Sequence, residues 1–248
     1  FDVIVATDTG VKAVYDNGVL TLPDVVLPGA YPKNLILSYG YTAYVSSYVV
    51  MYNTKLVPSD KVPKGYDDLA NPVWKGKLCL VDPSIYPPTA FFFMDLRKAW
   101  GEEKFWHWAK GIVANKPLWK EDSIPAGKAV EVGEAQLTIT VATNVRRGMD
   151  DGSPVNAVWP DPTYCYMGVL NMASNPHQPN AGKLFSQWLM SMEGMKVMQE
   201  MGRQPAVVGA LPLHPVIQGV SKVKLLPITI YGENERKAFV SKFEELLK

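Results

Sequence analysis

The feature that most constrains the fold is the alternation of short apolar strands with amphipathic helices along the whole chain. Residues 2–7, 77–81 and 135–142 are apolar runs, whereas residues 89–115 and 180–201 repeat apolar side chains at helical spacing. Strands that alternate with helices favour parallel, doubly wound sheets. The pattern therefore predicts an α/β fold.

The length of the chain predicts two lobes. Single hydrophobic cores stop growing near about 250 residues, and this chain has 248 residues, of which 47% are hydrophobic. It contains no flexible linker and no internal repeat, so structured segments are expected to join the lobes, with 41–52 and 164–172 as candidates. We predict that residues 1–45 and 168–248 form the first lobe and residues 46–167 the second.

Charge and composition exclude several classes of protein. Lys and Arg number 25 and Asp and Glu 24, which gives a net charge of +1 and no field that would attract nucleic acid or an anionic membrane. The apolar runs are far shorter than the ~20 residues that span a bilayer. Cys79 and Cys165 lie in predicted strands, where we expect buried free thiols. Two cysteines permit an oxidising compartment without demonstrating one.

The sequence lacks the motifs of common enzymes. His107, His177 and His214 show no spacing that would hold a metal, and the nucleophile elbow, the phosphate loop and the dinucleotide-binding turn are all missing. We therefore predict a protein that is not an enzyme, with no catalytic residue, no metal and no cofactor.

Polar and aromatic side chains follow the predicted strands, and open α/β sheets bind ligands at the carboxyl ends of their strands. Helix N-termini at the same edge favour anions. The stretch GEAQLTITVATNVRR, residues 133–147, is the clearest case, because its strand ends at a Thr-Asn pair. The predicted ligand-binding residues are Asp8, Thr9, Ser46, Ser47, Ser84, Tyr86, Ser123, Thr143, Asn144, Asp161, Tyr164 and Tyr166.

Each of these residues also has a purely structural interpretation. Asn144 is suited to capping the next turn, with Arg146 and Arg147 solvated, and the tyrosines are suited to core packing. If Asp8 and Asp161 both face the ligand, a cation such as a polyamine is favoured over an anion. The sequence leaves these alternatives open.

Residues 52–84, YNTKLVPSDKVPKGYDDLANPVWKGKLCLVDPS, resemble the middle of bacterial extracellular solute-binding proteins of the ferric-iron type. These are type II periplasmic binding proteins, family 1, the receptors of ABC importers. Residues 122–139, 180–202 and 204–213 are also similar, in the same order. The resemblance implies two α/β lobes with doubly wound sheets, joined by two hinge crossings, that close on a small-molecule ligand. It also implies a monomer that is exported by a signal peptide absent from this chain and that delivers its ligand to a membrane permease.

The resemblance further implies a strand-helix-strand-helix segment before residue 1. Without it the first lobe would lack its N-terminal strands and expose apolar sheet edges. We expect this segment on the natural protein, either cleaved, placed on a second chain or left out of this one.

One departure from the family bears on the ligand. Ferric-binding members often carry adjacent tyrosines after the strand that corresponds to 135–142, whereas this chain has Thr143 and Asn144 there, and Cys165 separates Tyr164 from Tyr166. We therefore expect a small organic or phosphorylated anion, with a polyamine or a ferric ion as alternatives. An effector-sensing domain of a transcription regulator and an enzyme on a related fold are the alternatives from other classes.

Overall fold

The computed structural model describes residues 1–207 and 212–248 and divides the chain into two compact units. Unit 1 comprises Phe1–Ser46 and Cys165–His214, and unit 2 comprises Ser47–Tyr164 and Pro215–Lys248. Part of the motif at 204–213 lies outside the described residues.

The regular elements alternate along the chain. The strands are β1 (Val3–Thr7), β2 (Leu20–Thr21), β3 (Ile36–Leu37), β4 (Gly40–Asn53), β5 (Leu78–Val81), β6 (Leu118–Lys120), β7 (Leu137–Val141), β8 (Val155–Val158), β9 (Thr163–Ala173), β10 (Gln204–Pro205) and β11 (Leu225–Pro227). The α-helices are α1 (Asp8–Asp16), α2 (Pro87–Trp100), α3 (Glu102–Ala114), α4 (Ser123–Glu131), α5 (Ala142–Asp150), α6 (Pro179–Leu189), α7 (Met192–Glu200) and α8 (Glu233–Glu244). Short 3-10 helices cover Lys33–Leu35, Ser59–Lys61, Asp67–Ala70, Pro72–Trp74 and Ile217–Lys222. Within 1–207 and 212–248, no helix is both long and apolar enough to cross a membrane.

Unit 1 is built on antiparallel ladders. β1 and β2 both pair with β9, and β3 and β10 both pair with β4. The parallel arrangement expected from the sequence does not apply to these ladders, because β4 and β9 enter as long strands and not after crossover helices. Gly168 in β9 allows the ring of Tyr44 to lie directly on the backbone, where a Cβ atom would overlap the ring. The core of the unit lies between this sheet and helices α6 and α7.

Unit 2 contains the predicted parallel sheet. β5 lies between β6 and β7 and is parallel to both, with Cys79 opposite Leu118 and Leu78 opposite Leu137. β4 runs antiparallel to β7 and β8. The strands β5, β6 and β7 are followed in the chain by the helices α2, α4 and α5, so these three helices begin at one edge of the sheet.

An aromatic core in unit 2 corrects the predicted lobe boundaries. Phe243 in α8 is 1% exposed and lies 5.7 Å from the ring of Phe93 in α2. The Asp95 carboxylate accepts hydrogen bonds from the Thr229 N–H at 2.6 Å and the Tyr231 hydroxyl at 2.7 Å. Residues 215–248 therefore pack with residues 47–164, whereas the sequence predicts that 168–248 lies entirely in the first lobe. Periodicity identifies the apolar face of α8 but not the surface that covers it.

One of three predictions about helix boundaries agrees with the structure. In the helical stretch 89–115 the sequence predicts a break at Gly101, and the structure confirms it, since this residue has a φ of +84° between α2 and α3. The single helix expected over 180–201 is wrong: it is divided into α6 and α7, because the Ser191 hydroxyl accepts the Gly194 N–H at 3.2 Å and starts a second helix. The sequence also predicts Thr9 as the cap of a helix over 11–17, which is wrong because α1 already begins at Asp8.

Candidate functional site

Five of the predicted binding residues lie at the edge of unit 2 where β5, β6 and β7 end. Ser84 and Tyr86 lie in the loop from β5 to α2, Ser123 is the first residue of α4, and Thr143 and Asn144 lie in the first turn of α5. Thr143 and Asn144 therefore belong to a helix and not to a loop. The three parallel strands are neighbours, so these segments share one edge of the sheet.

Ser123 and Asn144 are joined directly. The Asn144 Nδ2 group donates to the Ser123 Oγ at 3.3 Å and to the Thr140 Oγ1 at 2.9 Å. The Thr140 hydroxyl donates to the carbonyl of Ser123 at 3.1 Å. Ser123 is 7% exposed and Asn144 is 6% exposed, so the network is nearly dry and holds the first turns of α4 and α5 together.

The three helix N-termini differ in what they offer a ligand. The N-cap of α2 is followed by Pro87 and Pro88, which have no amide hydrogen to donate. The N-terminus of α4 is already occupied by a carboxylate, because Asp122 Oδ1 accepts the Ile124 N–H at 2.8 Å. In contrast, α5 has no side-chain cap and no acidic residue in its first turn. Its free N–H groups and the Thr143 side chain are thus the strongest donors at this edge.

The two arginines after Asn144 form ion pairs. Arg146 lies 3.3 Å from the Asp150 carboxylate, and Arg147 lies 3.5 Å from Glu131, whose side chain is 1% exposed. Lys128 approaches the same Glu131 carboxylate at 2.8 Å. The positive charges of the two arginines after β7 therefore neutralise carboxylates of α4 and α5.

Unit 1 contains a buried carboxyl group where β1 meets α1. Asp8 is 3% exposed, and its Oδ1 accepts the Thr9 N–H at 2.9 Å. Burial raises the pKa of Asp8 to about 6, although hydrogen bonds from the backbone of Met167 and Thr9 act in the opposite direction. The pKa of Tyr39 rises to about 12, first through burial and then through the nearby charge of Asp8. Tyr166, one residue before Met167, is 6% exposed.

The predicted serines Ser46 and Ser47 lie in β4 and are each 1% exposed. The Ser46 Oγ has no hydrogen-bond partner within the part of the chain that the structure describes. A buried hydroxyl in this state loses the free energy of its hydration. Ser46 is therefore a candidate for contact with a solute or with water.

Asp161 and Tyr164 lie elsewhere in unit 2. Asp161 is exposed, and its Oδ1 accepts the Lys224 N–H at 2.9 Å. Tyr164 is 5% exposed and packs edge-on against Phe92, with ring centroids 5.6 Å apart. Together with Trp100 they line an open groove of about 590 Å³. Among the described residues, no hydrogen bond joins this groove to the Ser123–Asn144 network.

The cysteines behave as expected. Cys79 and Cys165 are free and buried. Burial raises the pKa of the Cys79 thiol to about 11 and that of Cys165 to about 12. Over residues 1–207 and 212–248 the structure brings together no group of three His, Cys, Asp or Glu side chains suited to a metal ion.

Sequence reasoning missed two residues of the site, Asp122 and Thr140. Asp122 and not Ser123 is the N-cap of α4, and the Asp-Ser pair is ambiguous because both residue types are good caps. The sequence predicts Thr140 only as part of a strand. Its signal was a hydroxyl in LTITV, a strand that is otherwise apolar apart from Thr138 and is buried at every position.

Comparison with known proteins identifies the family of this α/β protein. Residues 11–215 match the family model described as bacterial extracellular solute-binding protein. Because the match covers most of the chain, the protein belongs to this family. The family consists of solute-binding transport proteins and not of enzymes.

Solved structures share the fold. Periplasmic binding protein AfuA from Actinobacillus pleuropneumoniae, with fructose-6-phosphate bound, has a TM-score of 0.78 at 18% identity over 99% of this chain and 82% of its own. The substrate-binding protein of an ABC transporter from Agrobacterium tumefaciens has a TM-score of 0.83 at 15% identity, over 100% and 78%. Iron-bound HitA from Pseudomonas aeruginosa has a TM-score of 0.77 at 18% identity, over 98% and 82%.

Two curated relatives match this chain over only part of their own length. An uncharacterized protein of Haemophilus influenzae is 23% identical over 194 residues, which cover 76% of this chain and 56% of the relative. Iron uptake protein A1 of Synechocystis sp. is 26% identical over 190 residues, which cover 71% and 52%. The chain thus spans about half the length of the curated relatives that it matches.

Proposed function

We propose that this protein is the solute-binding receptor of an ABC importer, works in the periplasm or another extracytoplasmic space, and passes its solute to a membrane permease. Membership of the extracellular solute-binding family supports this proposal. The solute we propose is a small organic or phosphorylated anion, bound by a monomer.

The observation that carries the anionic class is the N-terminus of α5. It has no side-chain cap and no acidic residue in its first turn, whereas Asp122 already fills the equivalent place in α4. Uncapped N–H groups and the positive end of the helix dipole bind anions. The half-buried Thr143 adds a hydroxyl group beside them. The fructose-6-phosphate in the AfuA structure is a solute of the proposed kind.

Ferric and polyamine solutes remain the alternatives. Iron uptake protein A1 is named for iron and HitA was solved with iron bound, and Asp8 offers a buried carboxyl group in unit 1. Neither Thr143 nor Asn144 supplies the phenolate that would neutralise a ferric ion. The test below therefore includes iron and a polyamine beside the anions.

Native mass spectrometry of the freshly purified protein, followed by denaturing analysis of the released molecule, identifies a solute that is retained. For the empty protein, isothermal titration calorimetry with fructose 6-phosphate, citrate, ferric citrate and spermidine shows which chemical class of solute binds. We expect binding of an anion and none of spermidine. Binding of spermidine alone, or of iron without an organic anion, would refute the proposed class.

A variant at α5 tests the site itself. Thr143→Asp places a carboxylate in the first turn, where it stabilises a helix by about 0.3–1 kcal/mol. The variant should therefore stay folded but lose at least about tenfold in anion affinity through repulsion, which corresponds to about 1.4 kcal/mol. Thr143→Ser keeps the hydroxyl and serves as the matched control. Unchanged anion binding by the Asp variant would exclude α5 as the anion site.

A further inference from the structure

The hydrogen bonds around Asn144 determine which way its amide faces. Thr140 has one hydroxyl hydrogen, and the Ser123 carbonyl, 3.1 Å away, can only accept it. Toward Asn144 the Thr140 oxygen must therefore accept. The amide group at 2.9 Å from it is consequently the NH₂ and not the carbonyl oxygen.

The Ser123 hydroxyl oxygen must likewise accept a hydrogen bond from the Asn144 amide. Its hydroxyl donates to the Asp122 carboxylate at 3.3 Å, and a carboxylate accepts only. The Ser123 Oγ is then an acceptor for Asn144 Nδ2 at 3.3 Å. Both hydrogens of the Asn144 NH₂ group thus form hydrogen bonds within the protein.

The acceptor of Asn144 is left without a donor. In the part of the chain that the structure describes, no group donates to Asn144 Oδ1, although the residue is only 6% exposed. Within the described residues this oxygen is not one of the buried side-chain atoms that lack a partner, so it is open to a donor from a solute or from water. Asn144 lies in the first turn of α5, whose N–H groups have no side-chain cap.

We propose that Thr140 is a positioning residue that holds the Asn144 amide with its carbonyl oxygen toward the solute, so that this corner selects anions that also carry a hydroxyl donor. The selectivity rests on the proposed function, whereas the orientation of the amide does not. Thr140 is fully buried in β7, and its hydroxyl bonds to the Asn144 amide and to the Ser123 carbonyl. The α5 N–H groups hold the anionic group, and Asn144 Oδ1 accepts a hydrogen bond from a neighbouring hydroxyl of the same solute.

The chain offers a matched control in the same strand. Thr138 is also 0% exposed, but its hydroxyl bonds to the Ile139 carbonyl at 3.3 Å. Thr140→Val and Thr138→Val therefore bury the same extra methyl group in the same strand. Only Thr140→Val removes a partner of Asn144.

The first experiment needs no solute. In ¹⁵N-labelled protein the Asn144 side-chain NH₂ pair is assigned by its loss in Asn144→Asp, and its hydrogen-exchange rate is measured. We expect faster exchange and a changed chemical shift in Thr140→Val but not in Thr138→Val. An Asn144 NH₂ signal in Thr140→Val that is identical to the wild type would overturn the positioning role.

The second experiment compares two phosphate monoesters, fructose 6-phosphate, which carries hydroxyl groups, and n-propyl phosphate, which carries none. We expect the wild type to prefer fructose 6-phosphate and Thr140→Val to weaken its binding about fivefold, the value of one hydrogen bond of about 1 kcal/mol, while the affinity for propyl phosphate stays unchanged. Equal affinities for the two esters in the wild type, or equal losses in the two Val variants, would overturn the selectivity.

The two experiments separate the two proposals. If the wild type binds neither ester but the Asn144 signal depends on Thr140, the proposed solute class and the selectivity fail while the positioning role stands. If binding is normal but the signal is independent of Thr140, the positioning role alone fails.

Discussion

Replacing Asp8 by Asn should change how the stability of the protein depends on pH. Asp8 is 3% exposed at the start of α1, and burial raises its pKa from 3.8 to about 6. The N–H groups of Met167 and Thr9 that face the carboxylate lower the pKa, but they do not compensate for the loss of water.

The direction in which stability changes with pH follows from proton binding by Asp8. The folded protein holds the Asp8 proton more tightly than the unfolded chain, so protonation stabilises the folded state. This contribution is complete below about pH 4 and is lost as the pH rises through about 6. A difference of about two pKa units, at 1.36 kcal/mol each, is worth about 3 kcal/mol of unfolding free energy.

The assay is urea unfolding of the wild type and of Asp8→Asn at pH 4, 5, 6 and 7. The amide is neutral throughout, so the stability of the variant relative to the wild type should rise by about 2.4 kcal/mol between pH 4 and pH 7. A carbon-13 NMR titration of the Asp8 carboxyl group should show a midpoint near pH 6. A stability difference that is flat or falls with pH would refute the argument from burial.

Three further changes test the packing and capping of the fold by urea unfolding. Phe243→Ala should cost about 3–5 kcal/mol, because the ring is 1% exposed and packs against Phe93; a loss below about 1 kcal/mol would contradict the placement of α8 in unit 2. Gly168→Ala should cost about 1–3 kcal/mol or more, because the added Cβ would overlap the Tyr44 ring, and a neutral effect would argue against that contact. Asp122→Ala should cost about 0.5–2 kcal/mol through loss of the α4 cap. If Ser123→Ala costs more than Asp122→Ala, then Asp122 is not the principal cap.

The elements that sequence reasoning predicted well have local causes. Gly101 ends α2 because a residue without Cβ adopts its φ of +84° at little cost. β5 was predicted because an apolar run buried on both faces needs no alternation. The family resemblance of residues 52–84 was also visible in the chain alone, and the match over residues 11–215 confirms the family.

The candidate site could be predicted only in part, because local patterns identify its residues but not the hydrogen bonds between them. Ser123 and Asn144 were expected beside each other because neighbouring parallel strands end at one edge. Which of Asp122 and Ser123 caps α4 depended on side-chain geometry that residue type alone leaves open.

The sequence by itself determined the α/β class, most strands and helices, and the polar residues at the strand ends, because these follow from periodicity and short-range turn chemistry. Only the tertiary structure decided that residues 215–248 join unit 2, where Asp95 binds Thr229 across 134 positions of the chain. It also decided that Thr140 directs the amide of Asn144. Both depend on which surfaces and hydrogen-bond donors meet in three dimensions, and no local pattern in the chain encodes that pairing.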